Sequence, residues 1–197
     1  RRHTRFRNVT GVQTCALPIY SLGLSRERYY AQARFADVFA DLKRAPLSLL
    51  PRLAAIPGIA QLEPSVRLLA QIDLPGISDP ITGRMTGIDS RSLPELNQLY
   101  LRSGQLPQVH RTGSIDVLVS EAFANARQLR PGDSLHALLN GKRETLRISG
   151  IALSPEHIFT GLIGAPDLRG FGVFWLDQKA LANASNMDGA LDRKSTR

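Results

Sequence analysis

Residues 114–153 read SIDVLVSEAFANARQLRPGDSLHALLNGKRETLRISGIAL, and this stretch predicts one compact supersecondary unit. Apolar residues alternate with others along residues 115–120, which is the period-two pattern of a strand with one buried face. Ser120 is placed to cap a helix, and Glu121 suits the positive N-terminus of that helix. The dipeptide Pro131-Gly132 cannot continue a helix and favours a turn. The order strand, helix, turn follows.

A hairpin completes the unit. The second strand, Ser134–Leu139, is joined to a third through Asn140-Gly141, the dipeptide that most strongly predicts a tight two-residue turn. In the third strand the apolar parity changes after Ile148, so the buried face must flip near Gly150. We therefore expect a bulge or a bend at that glycine.

This order of elements resembles the extracytoplasmic core domain of MacB/FtsX-type ABC transporter permeases, over roughly residues 25–190. The resembling segments are fold motifs and contain no chemical signature. They are Val117–Phe123, Leu129–Asp133, Leu146–Ile151, Tyr29–Pro46, Ile56–Ala60, Ser154–Phe159 and Phe171–Trp175.

The resemblance implies an α+β fold, a two-lobed extracytoplasmic domain with a strand-helix-strand layer near the membrane and an inserted, mostly-β lobe. The layer is expected in residues 20–96 and again, truncated, in residues 168–192. The inserted lobe is expected in residues 97–167. The family pattern continues past the last helix into one more strand, which we expect to be missing, so that an unpaired edge would lie beside Phe171–Leu176.

Both ends of the sequence read as non-native. Residues 1–19 and 193–197 include Val9–Ile19 and Arg193–Arg197, which resemble translated sequencing-adapter sequence, and neither end has amphipathic periodicity. We expect both ends to be disordered or to lack a buried face. The alternative, a signal peptide, is disfavoured because the apolar run at Ala16–Tyr20 is short and contains Pro18.

The net charge of +8 comes mainly from these two ends. Seven of the 25 basic residues lie there, which leaves 18 against 17 acidic residues and removes the main support for a nucleic-acid surface. The single cysteine, Cys15, is also in the first of them, so the rest of the chain has no disulfide or cysteine-ligated metal. No run of 18 apolar residues is present.

Other patterns predict the remaining elements. Helical spacing is present at Phe35, Val38, Phe39 and Leu42. The resemblance instead implies that about residues 36–44 are the first strand, with Val38, Ala40 and Leu42 on its inner face, and we predict the strand. Residues 66–74 alternate clearly, and residues 81–88 should pair back on them. Residues 97–113 read as a connection. Residues 171–176 are apolar on both faces, as in a covered strand, and Asp177 should cap a helix through Ala184.

One alternative function rests on Gly132-Asp133-Ser134-Leu135, the GDSL signature of a hydrolase family with a serine nucleophile. Ser134 and His136 would share a face of the strand. The position argues against catalysis, because the motif follows a helix and nothing in the sequence supplies an oxyanion hole. A third reading is an adaptor module that binds another protein.

Other combinations of residues carry less information. Three of the four histidines are too scattered for a metal site, and two acidic pairs have nothing to bring them together. Residues 161–172 lack a phosphate-loop pattern. The basic group near the start reads as a solvated face or as a contact for anionic headgroups, and the two tyrosines beside it suit a membrane interface or a core. These residues are His110, His136 and His157; Asp37 with Asp41, and Asp167 with Asp177; Arg26, Arg28, Arg34, Lys43 and Arg44; and Tyr29 and Tyr30.

The resemblance implies a non-catalytic domain with no catalytic, cofactor-binding or metal-binding residues. The expected setting is the periplasmic side of the bacterial inner membrane, where flanking helices would hold the domain. The expected partners are an ABC ATPase subunit that binds ATP and a second permease copy in a dimer, with no nucleic acid. The role would be to couple ATP-driven motion of the helices to export or extraction of a substrate.

Overall fold

The computed structural model describes the backbone of residues 13–108, 113–157, 167–186 and 190–196, and within these ranges the side chains of all but 13–22, 42–44 and 190–196. The helices are α1 Gln13–Gln32, α2 Leu50–Ala54, α3 Glu121–Arg127 and α4 Gln178–Ala184, with 3-10 turns at Leu47–Leu49 and Pro155–His157. The strands are β1 Val38–Pro46, β2 Leu62–Ser65, β3 Arg67–Asp73, β4 Ile81–Ile88, β5 Tyr100–Gly104, β6 Ile115–Ser120, β7 Ser134–Leu139, β8 Lys142–Leu153, β9 Phe171–Asp177 and β10 Ala190–Thr196.

The central unit forms as its sequence predicts. β6 leads into α3, and β7 and β8 pair antiparallel around Asn140 and Gly141, whose φ angles are 49° and 76°. Positive φ at both positions is what a two-residue hairpin of this kind requires. One detail of the prediction is wrong: Ser120 does not cap α3, and its Oγ instead accepts a hydrogen bond from the Val173 N–H at 3.3 Å.

β8 carries the expected bulge. Val117 of β6 lies opposite Ile148, but Leu118 lies opposite Gly150, so Ser149 is the extra residue. β5 packs closely against this irregularity, because a Cβ added to Gly150 would lie 2.7 Å from the carbonyl oxygen of Ser103. The bulge thus changes the direction of β8 and allows β5 to pair with it. The sequence did not predict β5.

Seven strands form one sheet in the order β5-β8-β6-β9-β4-β3-β7, and β7 also pairs with β8. That second pairing closes six of the strands into a barrel, with β5 attached outside on β8. The barrel interior is filled by a large apolar cluster, in which Phe123 of α3 meets Phe174 of β9 edge-on at 5.6 Å. A packed interior of this kind makes the barrel a rigid body.

β9 is buried at every position. Phe174 and Leu176 point into the barrel, whereas Phe171, Val173 and Trp175 belong to a second apolar cluster outside it. This arrangement confirms the prediction of a strand covered on both faces. α4 follows, and the Asp177 carboxylate caps it by accepting the Lys179 and Ala180 N–H groups, also as predicted.

A separate three-stranded sheet has the order β1-β10-β2, with all pairs antiparallel. β10 is the strand we expected to be missing, so that expectation is wrong. The unpaired edge is also wrong, because β9 lies between β6 and β4. Residues 13–19 lie in α1 and residues 193–196 lie in β10, so neither segment is disordered. Whether they lack a buried face stays a prediction, because their side chains are not described, and residues 1–12 and 197 lie outside the described residues.

The division into lobes is not confirmed. β3, β4 and β9, which we assigned to the membrane-proximal layer, share one closed sheet with β6, β7 and β8 of the expected inserted lobe. The strands instead divide into the three-stranded sheet and the barrel with β5. β1 confirms the prediction that this segment is a strand. Val38 is 57% exposed and Ala40 is exposed, so the prediction that these two residues lie on the inner face is wrong.

Candidate functional site

The three-stranded sheet and the barrel meet at a junction built around Asn97. Its side-chain Oδ1 accepts the Ala36 N–H at 3.0 Å, and its own N–H donates to the Arg34 carbonyl at 3.1 Å. Gln98 N–H donates to the Ala33 carbonyl at 2.8 Å. Asn97 has φ 50°, a left-handed conformation that asparagine tolerates better than most residues. This one side chain therefore fixes the entry to β1 against the segment before β5.

Side chains join β2 to the same segment. Glu63 of β2 accepts the Leu96 N–H on its Oε2 at 2.7 Å, and burial raises the pKa of this carboxyl group. Gln61 accepts from Arg34 Nη2 at 2.6 Å and donates to the Glu95 carboxylate. The junction therefore combines these hydrogen bonds and a half-buried carboxylate with the buried apolar side chains of Leu96 and Leu99.

A polar cavity of about 40 Å³ lies beside the junction, between β3, β4 and the turn Pro155–His157. That volume has room for a few water molecules. Arg67 and Glu156 face each other across it with Nη2 and Oε1 2.7 Å apart, and both side chains are only 14% exposed. Glu156 is further positioned by its N–H, which donates to Ser154 Oγ at 3.2 Å. This ion pair ties the end of β8 to the start of β3.

His157 lies beside this ion pair, with its Nε2 3.9 Å from Glu156 Oε1. Its side chain is 6% exposed, and its ring centroid lies 6.2 Å from that of Trp175. Burial, together with the positive charges of Arg67 and Arg84, lowers the pKa of His157 to about 3. The imidazole is therefore neutral at physiological pH.

The hydrolase residues are not assembled into a catalytic site in the described part of the chain. Ser134 is exposed at the start of β7, and the Asp133 carboxylate accepts the Arg130 N–H at 2.7 Å. His136 Nδ1 lies 3.4 Å from Thr145 Oγ1, not in a bond with the serine. The GDSL signature is thus a turn and a strand start, in which Asp133 stabilises the turn after α3.

The acidic pairs do not come together as catalytic pairs either. Asp177 accepts Ser90 Oγ–H at 2.8 Å in addition to capping α4, and Asp167 accepts the Gly170 N–H at 2.7 Å. Asp37 and Asp41 are exposed near β1. Among the described residues, no three histidine, cysteine or acidic side chains are grouped for a metal. His110 and residues 161–166 lie outside the described residues.

The basic residues near the start have separate surroundings. Arg26 and Arg28 are exposed on α1, and Arg34 belongs to the junction, whereas the side chains of Lys43 and Arg44 are not described. Tyr30 stacks on Phe35 with centroids 4.6 Å apart, which favours a packing role for this tyrosine.

Sequence patterns did not identify Asn97, Glu63 or the pair Arg67–Glu156 as important residues. The two members of that pair are 89 positions apart. Only the residue type of Asn97 could have suggested a special backbone position, because asparagine is enriched where φ is positive.

No family model and no curated protein matches this chain. Several solved structures are similar to this chain. The extracellular domain of the noncanonic ABC-type transporter YknZ from Gram-positive bacteria is 14% identical, with 78% of this chain and 73% of that chain covered at a TM-score of 0.47.

Two more solved structures are similar. The periplasmic region of MacB from Actinobacillus actinomycetemcomitans is 14% identical over 77% of this chain and 64% of that chain, at a TM-score of 0.48. A domain of a putative permease protein from Porphyromonas gingivalis is 13% identical over 84% of this chain and 64% of that chain, at a TM-score of 0.45. The chain thus spans about two thirds of the length of these two.

The first of these structures is an extracellular domain of a transporter, the second is a periplasmic region, and the third is a domain of a permease protein. None of the described helices combines the length and the apolar character that a membrane span needs.

Proposed function

We propose that this chain is an extracytoplasmic domain of an ABC transporter permease and that it transmits motion rather than catalysing a reaction. One observation carries the proposal: β1 and β10 are antiparallel neighbours, with Ala45 opposite Leu191 and Val38 opposite Thr196. The strand that leads into the fold and the strand that leads out of it therefore lie side by side. Of the residue pairs in this sheet, Ala45–Leu191 and Pro46–Ala190 precede residue 193, whereas the pairing of β10 with β2 lies wholly in residues 193–196.

Two adjacent strands are a suitable attachment for a pair of membrane helices. If each strand continued into a helix, a relative movement of the helices would displace the three-stranded sheet. The junction at Asn97 and Glu63 would pass that displacement to the barrel, which moves as one body because its interior is packed. In this proposal the domain lies on the periplasmic side of the inner membrane.

The energy would come from outside this chain. An ABC ATPase subunit would bind and hydrolyse ATP, and a second permease copy would complete a dimer. The work done would be export or extraction of a substrate. Residues 1–19 and 193–197 keep their assignment as non-native sequence in this proposal.

The test begins with the uninterrupted gene from a longer sequencing read. We expect about 20 apolar residues before Tyr20 and three further such helices after the domain. Coding sequence for soluble domains on both sides would overturn the proposal. The complete permease, expressed with the ATPase encoded beside it, should then show ATP hydrolysis that responds to substrate.

A variant at the junction tests the proposed transmission. Asn97→Ala removes the acceptor of the Ala36 N–H and should reduce transport more than basal ATP hydrolysis. Ser134→Ala is the matched control, because Ser134 is exposed and distant from the junction in the topology. Ester hydrolysis that Ser134→Ala abolishes would instead contradict the non-catalytic role.

A further inference from the structure

Asp116 of β6 is a buried carboxylate with an incomplete set of hydrogen-bond partners. The residue is only 3% exposed. Its Oδ2 accepts one long bond, from the Gln108 N–H at 3.4 Å, and its Oδ1 is buried without a hydrogen-bond partner among the described residues. Withdrawing a carboxylate from water without donors is costly, and buried charged groups are normally paired. Asp116 therefore needs a further donor.

An arginine lies next to Asp116 but does not neutralise it. In the parallel pairing of β6 with β8, Arg147 is the residue opposite Asp116. Both side chains are on the outer face, because their strand neighbours Val117, Leu146 and Ile148 belong to the barrel interior. Adjacent strands are only about 4.8 Å apart, so an ion pair is within reach of two such side chains. Neither takes part in an ion pair within the part of the chain that the structure describes.

The two side chains line one cavity of about 400 Å³. Its rim comes from the end of β5 and from the turn after α3, and the rim residues are exposed, so the cavity opens to solvent. These rim residues are Gly104, Gln105, Pro131 and Gly132. Small-molecule sites in proteins have volumes of about 300–1,000 Å³, and this cavity is within that range.

Both parts of the rim are attached to β8. The Gln105 N–H donates to the Ser149 carbonyl at 2.9 Å, and the Gly132 N–H donates to the Ile148 carbonyl at 2.8 Å. The Ile148 N–H in turn donates to the Asp133 carbonyl at 2.8 Å. The backbone around the cavity is therefore preformed, and a ligand would need little further ordering of the chain to bind there.

We infer that this cavity is a binding site for a small zwitterion of the amino-acid type, whose ammonium group donates to Asp116 and whose carboxylate accepts from Arg147. A ligand with both charges complements this lining, whereas a simple cation or a simple anion would meet one like charge. Arginine suits the second contact, because its planar guanidinium can donate two parallel N–H groups to one carboxylate. Rotation about the Cβ–Cγ bond of Asp116 can present either oxygen to the ligand. The inference does not depend on the proposed transport role.

Nuclear magnetic resonance of the whole chain, labelled with nitrogen-15, tests the site with three compounds. The amide signals of Gly104 and Gly132, one in each part of the rim, should shift saturably when L-alanine is added. Ethylamine carries only the positive charge and propionate only the negative one, so each should bind about ten-fold more weakly or worse at the same ionic strength. The inference is overturned if L-alanine causes no saturable shift, or if either single-charge compound binds as tightly.

Variants then assign the two contacts. Asp116→Asn keeps the shape of the side chain, and Arg147→Met keeps most of its length, and each should weaken L-alanine binding by about ten-fold or more. Arg143→Ala is the matched control on the same strand, because Arg143 is 63% exposed and pairs with Asp73, and its affinity for L-alanine should equal that of wild type.

Unchanged affinity in Asp116→Asn or in Arg147→Met would overturn the inference, because the proposed ligand needs both charges. If either variant does not fold, the comparison of L-alanine, ethylamine and propionate on the wild-type chain still decides the question. Tighter binding of L-alanine than of both single-charge compounds supports the site, and equal binding refutes it.

Discussion

His157 should make the folded chain sensitive to mild acid. In the unfolded chain its pKa is near the ordinary value of 6.5, whereas in the folded chain burial and two arginines lower the pKa to about 3. The unfolded state therefore binds a proton that the folded state does not accept, and stability falls as the pH drops below 6.5. From pH 7 to pH 5 the loss is about 2 kcal/mol, since each pH unit below 6.5 contributes about 1.4 kcal/mol.

The measurement is urea unfolding followed by the fluorescence of Trp175, at pH 7 and at pH 5. His157→Gln removes the titrating group, so the variant should lose about 2 kcal/mol less than wild type over this interval, whatever its stability at pH 7. His136→Gln is the control, because His136 lies on β7 with Thr145 as its neighbour. The reasoning fails if wild type and His157→Gln lose the same free energy of unfolding between the two pH values.

Three further substitutions test other parts of the fold. Asp177→Ala removes the cap of α4 and should lower the free energy of unfolding by about 1–2 kcal/mol in urea; an unchanged midpoint would contradict the cap. Gly83→Ala would place a Cβ 2.7 Å from two atoms of Ile72 inside the barrel, which should cost about 1–3 kcal/mol; a stabilised variant would show that the barrel interior has spare room. Glu63→Gln keeps an acceptor for the Leu96 N–H and removes a carboxylate whose pKa is raised by burial. Its stability relative to wild type should increase from pH 4 to pH 8, and a decrease would refute the assignment.

The elements that the sequence predicted are those that neighbouring residues determine. The hairpin at Asn140-Gly141 needs only two residues with positive φ, and the bulge before Gly150 is visible as a change of apolar parity within one strand. β3 is visible for the same reason, since Ala70 and Ile72 are buried and alternate with exposed residues. In the hairpin, the bulge and β3, the preferences of neighbouring residues favour the same conformation that the whole fold requires.

Barrel closure was not predictable in this way. It depends on β7 pairing with β3 through three residue pairs, from Gln71–Leu138 to Asp73–His136, and these residues are more than 60 positions apart. β5 was missed for a related reason: four of its five residues are exposed, so its sequence has no apolar alternation, and its place is created by the bulge in β8. Pairing between distant strands leaves no periodic signal in either one.

The two parts of the fold differ in what holds them together, and this difference is the physical basis of the proposed transmission. The barrel is closed and filled, so deforming it would open voids in a packed interior. The three-stranded sheet has exposed residues at Val38 and Ala40, and the helical segment between β1 and β2 buries none of its residues. Segments with little buried surface open at lower free energy than packed cores. A force applied at β1 and β10 would therefore be accommodated first within the small sheet and its hydrogen-bonded junction. The barrel is joined to the small sheet both by the bonds of Asn97 and Glu63 and by Val66, the single residue between β2 and β3, which is buried in the barrel cluster.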